Sequence, residues 1–163
     1  MSQPKIDVKT VVIRPARAED AKAIQAVYEA SIPETTAGLA YEEGDWRLYA
    51  GKPHIRLLVA EGRSDRVVVG MLLGFDLENW SYLDVLVVAE KARRLGVGSA
   101  LLAAFERSGE GRWVASELAV DMEDGGLRTF VKKCGYAEAG VTEWRVRDLS
   151  GDAERRRLKF RGI

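Results

Sequence analysis

The chain holds one cysteine, Cys134, and one histidine, His54, in 163 residues. That scarcity excludes an internal disulfide and any zinc site built from several Cys or His ligands, so no metal is expected. An excess of either charge is also lacking. Acidic and basic residues balance at 25 each, and no overall field draws the protein to nucleic acid or an anionic membrane. The opening MSQPKIDVKT lacks the apolar stretch of a signal peptide, and no apolar run approaches the roughly 20 residues that cross a bilayer. A cytoplasmic protein without membrane or nucleic-acid partners is expected. Repeats, linkers and low-complexity tracts are missing too, and the length suits a single domain over residues 1–163 around one core.

What is present alternates between strand-like and helix-like runs. VKTVVIRP reads as a first strand, and Ala21, Ile24, Val27 and Tyr28 recur at helical spacing behind Glu19 and Asp20. Pro33 then stops that helix. Residues 32–52 mix Thr, Gly, acids and aromatics, the composition of a mobile recognition segment with one short helix over Asp45–Tyr49. IRLLVAEG and VVVGMLLGF flank the turn-like GRSDR and predict an antiparallel hairpin, and a further turn leads to the strand SYLDVLVVA. Val97, Leu101, Leu102 and Phe105 mark the apolar face of a next helix, followed by the strand WVASELAVDM, the order that a parallel crossover needs. Leu127, Phe130, Val131 and Cys134 stripe a last helix closed by Gly135, after which VTEWRVRDL and RRRLKFRGI read as two final strands. The expected class is α+β, a mixed and mostly antiparallel sheet with helices on both faces.

The stretch EKARRLGVGSALLAAFE, residues 90–106, contains more than a turn needs. A strand that feeds a helix through Gly96 and Gly98 leaves the first helical amides unbonded and uncovered, so several N–H groups can converge on an anion. Arg93 and Arg94 add charge at that mouth and can grip phosphate bidentately. A plain tight turn with solvated arginines is the alternative. Gly-Lys-Ser/Thr of a Walker loop is absent, and Leu101 stands where a dinucleotide loop needs a small third residue. Glu117 lies at the distance of a ribose-binding acid but inside its strand.

Arg93, Gly96 and Gly98, in the order Arg-x-x-Gly-x-Gly between LDVLVVAEKA and SALLAAFE, resemble motif A of the GNAT superfamily of N-acetyltransferases. VVIRPARAEDAKAI resembles the family's opening strand and helix, and DGGLRTFVKKCGY its late helix and glycine-aromatic exit. The resemblance implies a GNAT-like acyl-coenzyme A N-acyltransferase fold with acetyl-coenzyme A as co-substrate. It implies pyrophosphate held by Arg93, Arg94, Leu95, Gly96, Val97, Gly98 and Ser99, with Lys133 reaching the phosphates. The strand before the loop is expected to bulge and splay, so that the pantetheine arm pairs near Val87 and Val88. Asp124 occupies a position where relatives often place an asparagine bonded to that arm. The backbone N–H of Leu86 matches the donor to the thioester oxygen, where a preorganised N–H stabilises developing charge by a few kcal/mol.

The acceptor amine must lose a proton at a cost of about 4.6 kcal/mol at pH 7. Alternation along SYLDVLVV puts Tyr82, Asp84 and Leu86 on one face, and Tyr82 and Asp84 fall where relatives often place proton acceptors. Asp84 is the candidate base, either with its pKa raised by desolvation or through an ordered water; an Asp paired to a neighbouring cation is the alternative. Relatives supply a tyrosine for the departing thiolate where this chain has Val131. Unaided departure costs about 2 kcal/mol, and Tyr136 or water are the substitutes.

Trp46 and Trp80 line an acceptor pocket or pack in core and rim. Glu117, with Glu42, Glu43, Asp45 and Glu123, either attracts a cationic amine or forms solvated surface. Cys134 belongs to the apolar stripe, where a buried cysteine behaves as a small hydrophobe, and His54 to the surface. The functional expectation is direct acetyl transfer to the primary amine of a small molecule in a ternary complex, with a homodimer as an allowed assembly. Acetylation of a protein amine and a non-catalytic acyl-coenzyme A module are its alternatives.

Overall fold

A computed structural model of the chain describes residues 10–31, 41–108, 113–116 and 125–139. The described elements are β1 (Val11–Pro15), α1 (Ala21–Ser31), α2 (Glu43–Tyr49), β2 (Ile55–Gly62), β3 (Val68–Asp76), β4 (Trp80–Val88), α3 (Val97–Ser108), β5 (Trp113–Ser116) and α4 (Gly125–Lys133). Short 3-10 turns, Ala18–Asp20 and Glu90–Ala92, precede α1 and the α3 loop. The two expected C-terminal strands, and the remainder of WVASELAVDM, lie outside the described residues. The chain divides into two compact units, and α4 belongs to a different unit from the sheet.

The sheet runs β1-β2-β3-β4-β5. The first three pairings are antiparallel and β4–β5 is parallel, the mixed and mostly antiparallel arrangement expected. The hairpin β2–β3 pairs Leu58 with Leu72 and Leu57 with Leu73. Both faces of these strands are apolar because helices cover both. On one face α1 sets Ala21, Ile24, Val27 and Tyr28, with Trp46 of α2, against Leu57, Val59, Met71 and Leu73. On the other, Val97, Leu101, Leu102 and Phe105 of α3 are buried, as the helical spacing predicts.

Glycine fixes how closely α3 approaches. Gly70 would place a Cβ 3.2 Å from Leu101 Cδ1, and a Cβ on Gly74 would overlap the Phe105 ring. The edge is tied by charge. Arg14 of β1 bonds Asp20 at 2.7 Å and also pairs with buried Glu61 of β2. The Arg14 guanidinium holds the Asp20 carboxyl below the usual carboxylate range, against burial that pushes it up. This joins the start of α1 to the first two strands.

Within the other unit, α4 ends at Gly135 in the left-handed region (φ 91°), with Tyr136 N–H bonded to the Val131 carbonyl at 3.1 Å. That is the glycine stop expected. Cys134 is half-buried.

Substitution at Gly74 separates close approach from backbone propensity. Gly74→Val is expected to destabilise by about 1–3 kcal/mol through overpacking against Phe105. Gly44→Ala in α2, where a Cβ meets nothing within 4 Å, is expected to be neutral or to stabilise by up to about 1 kcal/mol. Urea unfolding midpoints check both.

Candidate functional site

The central feature of β4 is one extra residue. Leu73 pairs with Val85 and Gly74 with Leu83, so Asp84 has no partner of its own in β3. This is a β-bulge, which bends a strand and re-aims a side chain. It corrects the expected alternation. Residues directly opposite across an antiparallel ladder share a face. Tyr82 stands opposite Phe75 but Leu86 opposite Leu72, and Phe75 and Leu72 lie on opposite faces of β3. Tyr82 therefore faces α1 and α2, whereas the Leu86 side chain faces α3.

Asp84 is met from the α2 side. Tyr41 Oη donates to Asp84 Oδ2 at 2.5 Å. Tyr41 is itself anchored: Gln25 Nε2 of α1 donates to its carbonyl at 3.2 Å, and Gln25 Oε1 accepts from Trp46 Nε1 at 2.5 Å. Aromatic contacts extend this anchor. Tyr41 lies 4.8 Å from Trp46 and 6.0 Å from Tyr49, and Tyr49 lies 6.3 Å from Phe75, centroid to centroid. Asp84 has an open outer edge and this carbon wall behind it. Burial pushes its carboxyl above the usual carboxylate range, and the Tyr41 hydrogen bond pulls the other way with less weight. Burial first, and Asp84 second, push the Tyr41 hydroxyl well above the usual tyrosine range, so it remains a donor. Among the described residues no Lys or Arg forms an ion pair with Asp84. The structural alternative raised for Asp84, a pairing with a neighbouring cation, is not what these residues show.

The backbone beyond Asp84 has a definite polarity. Ala89 N–H donates to the Val69 carbonyl at 2.9 Å, and hydrogen-bonded pairs alternate along an antiparallel ladder. Val85 and Val87 therefore direct their N–H groups to β3, while Leu86 and Val88 direct theirs to the β5 side. Arg93 agrees with this phase: its Nε donates to the Val88 carbonyl at 2.9 Å. β5 pairs with β4 over Trp80–Leu83. Whether the strands splay beyond that point concerns residues 117–124, outside the described residues.

The glycine loop divides its two glycines by role. Gly96 has φ 84°, a left-handed value that favours glycine in any turn. Gly98 is not among the positive-φ glycines and lies inside α3, so backbone conformation does not require it. It leaves the first turn of the helix without a side chain at that position. The Ala100 amide is bonded to the Gly96 carbonyl at 2.9 Å, and the amides of Val97, Gly98 and Ser99 precede it without an i−4 partner in the helix. Arg94, exposed, also has a left-handed φ of 62°, a strained value for a side-chain-bearing residue that costs about 1–2 kcal/mol. Orphan amides, a glycine in the first turn and two exposed arginines fit a diphosphate. Val97 is buried and Leu95 half-buried, so Val97 has only its backbone to offer a ligand.

Other expected site residues separate. Trp46 is 0% exposed; it does not line an accessible surface but backs Tyr41, a correction to its place in an acceptor pocket. Trp80, 38% exposed, stands edge-on to Tyr82 at 6.2 Å. The acids of α2 serve local structure: Asp45 accepts from Glu42 N–H at 2.9 Å and Glu43 pairs with Arg47 at 2.7 Å. Helix α2 thus begins two residues earlier than expected. Lys133 is exposed on α4. Glu117 and Asp124 lie outside the described residues. Tyr41, Gln25, Tyr49 and Phe75 were not singled out by spacing, because their contacts with Asp84 and with one another join elements distant in sequence. The aromatic content of residues 32–52 was the one available signal.

Among the described residues no group of three or more His, Cys, Asp or Glu is placed to hold a metal, and no helix is long and apolar enough to cross a membrane.

Comparison with known proteins gives the same reading. The sequence matches the Acetyltransferase (GNAT) family over residues 23–136. No match to a curated protein sequence was found. Among solved structures, an aminoglycoside antibiotic 6'-N-acetyltransferase from Acinetobacter baumannii is similar with TM-score 0.70 and 15% identity, covering 86% of this chain and 99% of that one. An aminoglycoside acetyltransferase from an uncultured soil metagenomic sample, in complex with sisomicin, gives 0.68 and 18% over 85% and 97%. A ribosomal-protein-alanine N-acetyltransferase from Brucella melitensis biovar Abortus 2308 gives 0.63 and 17% over 85% and 99%. These likenesses concern the fold, and the family match spans more than half of the sequence: the chain belongs to the GNAT family of acetyltransferases.

Proposed function

We propose that the protein transfers an acetyl group from acetyl-coenzyme A directly to the primary amine of a small molecule, within a ternary complex. The observation that carries this reading is Asp84, a carboxylate without a described cationic partner, raised at a bulge two residues before an amide that faces the β5 side. The similar structures are named for aminoglycosides in two cases and for a ribosomal-protein alanine in the third, so the choice of a small acceptor rests on the site.

The loop amides of Val97, Gly98 and Ser99, with Arg93 and Arg94, would hold the coenzyme diphosphate. The bound coenzyme supplies the acetyl group as a thioester. Asp84 receives one proton from the acceptor ammonium, directly or through a water, and the freed amine lone pair forms the N–C bond. Leu86 N–H donates to the carbonyl oxygen as charge gathers there. The C–S bond breaks, the acylated nitrogen gives up its second proton while the sulfur takes one up, directly or through water, and an amide and free thiol are produced. Tyr41 fixes one oxygen of Asp84 and so orients the other.

Asp84→Asn is expected to lower amine-dependent kcat/KM by about a hundredfold or more, the scale of a lost general base, with coenzyme affinity unchanged within error. Thiol release and calorimetric titration measure the two quantities, and an unchanged rate would remove Asp84 from the reaction.

The base acts when ionised, so its raised pKa places the acid limb of the rate profile above the ordinary carboxylate value. Tyr41→Phe removes the bond that lowers that pKa; the limb is expected to move to higher pH while the profile of coenzyme binding stays put. A limb that stays fixed or moves down would exclude this positioning role.

Because Gly98 is not required by backbone conformation, Gly98→Val is expected to weaken coenzyme A binding at least about tenfold, while helix propensity alone predicts no loss of stability. Parallel losses in binding and in the urea midpoint would favour a turn with no ligand role.

A further inference from the structure

The aromatic groups around Asp84 form an arc, and its chemistry narrows the acceptor class. Tyr41 bonds Asp84, Tyr49 lies 6.0 Å from Tyr41, and Phe75 lies 6.3 Å from Tyr49. Phe75 stands opposite Tyr82 across the ladder, and Tyr82, two residues before Asp84, carries Trp80 against its edge at 6.2 Å. The arc thus runs from the carboxylate to the strand that carries it. It has two layers. Tyr28 and Trp46 behind are buried, whereas Tyr41, Tyr49, Phe75 and Tyr82 are half-buried and Trp80 is exposed.

Charged groups around the arc are few. Asp45 of α2 faces Tyr49 but accepts from the Glu42 amide, and Glu43 is paired with Arg47. On the sheet side, Asp76 accepts from Ser81 Oγ at 2.7 Å and pairs with Arg56 at 2.6 Å. Among the described residues Asp84 has neither a cation nor a backbone amide as partner, only the Tyr41 hydroxyl. Ring faces attract an ammonium, and attract it more when water is displaced. Away from the tyrosine hydroxyls they offer no partner to a hydroxyl-rich body, whose polar groups would lose water there uncompensated.

Building on the transfer proposed above, we propose that the acceptor is an apolar monoamine: a primary ammonium against Asp84, carried on an aryl or branched alkyl body that lies along Tyr49, Phe75, Tyr82 and Trp80. An amino sugar would set hydroxyls against ring carbon, and the further cations of a polyamine would meet ring faces but no second carboxylate placed beside Asp84 among the described residues. The arc therefore selects by two criteria, one positive charge and apolar bulk beside it.

The test is amine-dependent thiol release by the full chain with acetyl-coenzyme A, using 2-phenylethylamine, isoamylamine, spermidine, sisomicin and a lysine peptide. 2-Phenylethylamine or isoamylamine is expected to show kcat/KM at least about tenfold above the other three, an apparent discrimination of about 1.4 kcal/mol or more. Phe75→Leu, which keeps an apolar core side chain, is expected to raise KM for 2-phenylethylamine severalfold with kcat held within about threefold. Preference for spermidine, sisomicin or the peptide would overturn the acceptor class and leave acetyl transfer standing. An unchanged KM in Phe75→Leu would remove the arc from acceptor binding. Coenzyme A binding without thiol release for any amine would instead overturn the transfer itself.

Discussion

The site depends on a single added residue in β4. A regular strand would turn Tyr82, Asp84 and Leu86 to one face and leave their amides in one phase. With Asp84 bulged, the carboxylate remains with Tyr82 on the α2 side while Leu86 turns its side chain to α3 and its N–H to the β5 side. A carboxylate and an oriented amide thus emerge within three consecutive residues of a paired strand. The bulge is held on both flanks. Before it, Leu83 sits on Gly74, against which Phe105 of α3 is packed; after it, Val85 is paired with buried Leu73. A slip of one residue would carry the apolar set of β4 to the wrong faces, so packing specifies the register that places Asp84.

The position of α3 depends on the same packing. Its N-terminal amides are useful only if they lie where the chain leaves β4, and the helix is fixed from its far end. Arg56 of β2 donates to the Phe105 carbonyl and to Ser108 Oγ, stacks over the Phe105 ring at 3.7 Å, and makes an ion pair with Asp76 at 2.6 Å. A cation at a helix C-terminus complements the dipole as well as bonding its last carbonyls. Gly70 and Gly74 then set the distance between helix and sheet. The N-terminal end proposed to bind an anion therefore projects from a helix clamped at its base.

Much of this was legible because it is local. The stripe Val97, Leu101, Leu102, Phe105 and the hairpin runs around GRSDR are short-range patterns, and they fixed the elements that carry the loop. Arg93, Gly96 and Gly98 were legible for the same reason, although the sequence did not distinguish a glycine needed for a left-handed turn from one needed for open space. The bulge was expected only through the family resemblance, and its place at Asp84 was not legible in the residues themselves. Asp84 interrupts a continuous apolar run, and a run such as VLVV has no alternation in which a change of phase can show. Tyr41 was hidden differently: its bond to Asp84 spans 43 residues and arises only when α2 docks beside α1. Trp46 was undecidable until the Gln25 bridge showed it to be a buried support.

The wall around Asp84 meets two demands that oppose each other. In water a carboxylate and an alkylammonium differ in proton affinity by about 9 kcal/mol, so a base must be moved toward the amine. The rings push in that direction by shielding one side of Asp84, which raises the carboxyl although its outer edge is open, while the Tyr41 hydroxyl limits the rise by bonding the charged form. Yet the same rings favour an ammonium over a neutral amine, which resists the transfer they assist. The conflict is resolved in time. In the proposed reaction the ion pair and the cation–ring contact would hold the acceptor while it is charged, and both would be lost once the proton has moved to Asp84 or a water and the nitrogen has become an amide. Loss of the charge would thus weaken the hold on the product, leaving only the apolar contacts of its body with the rings.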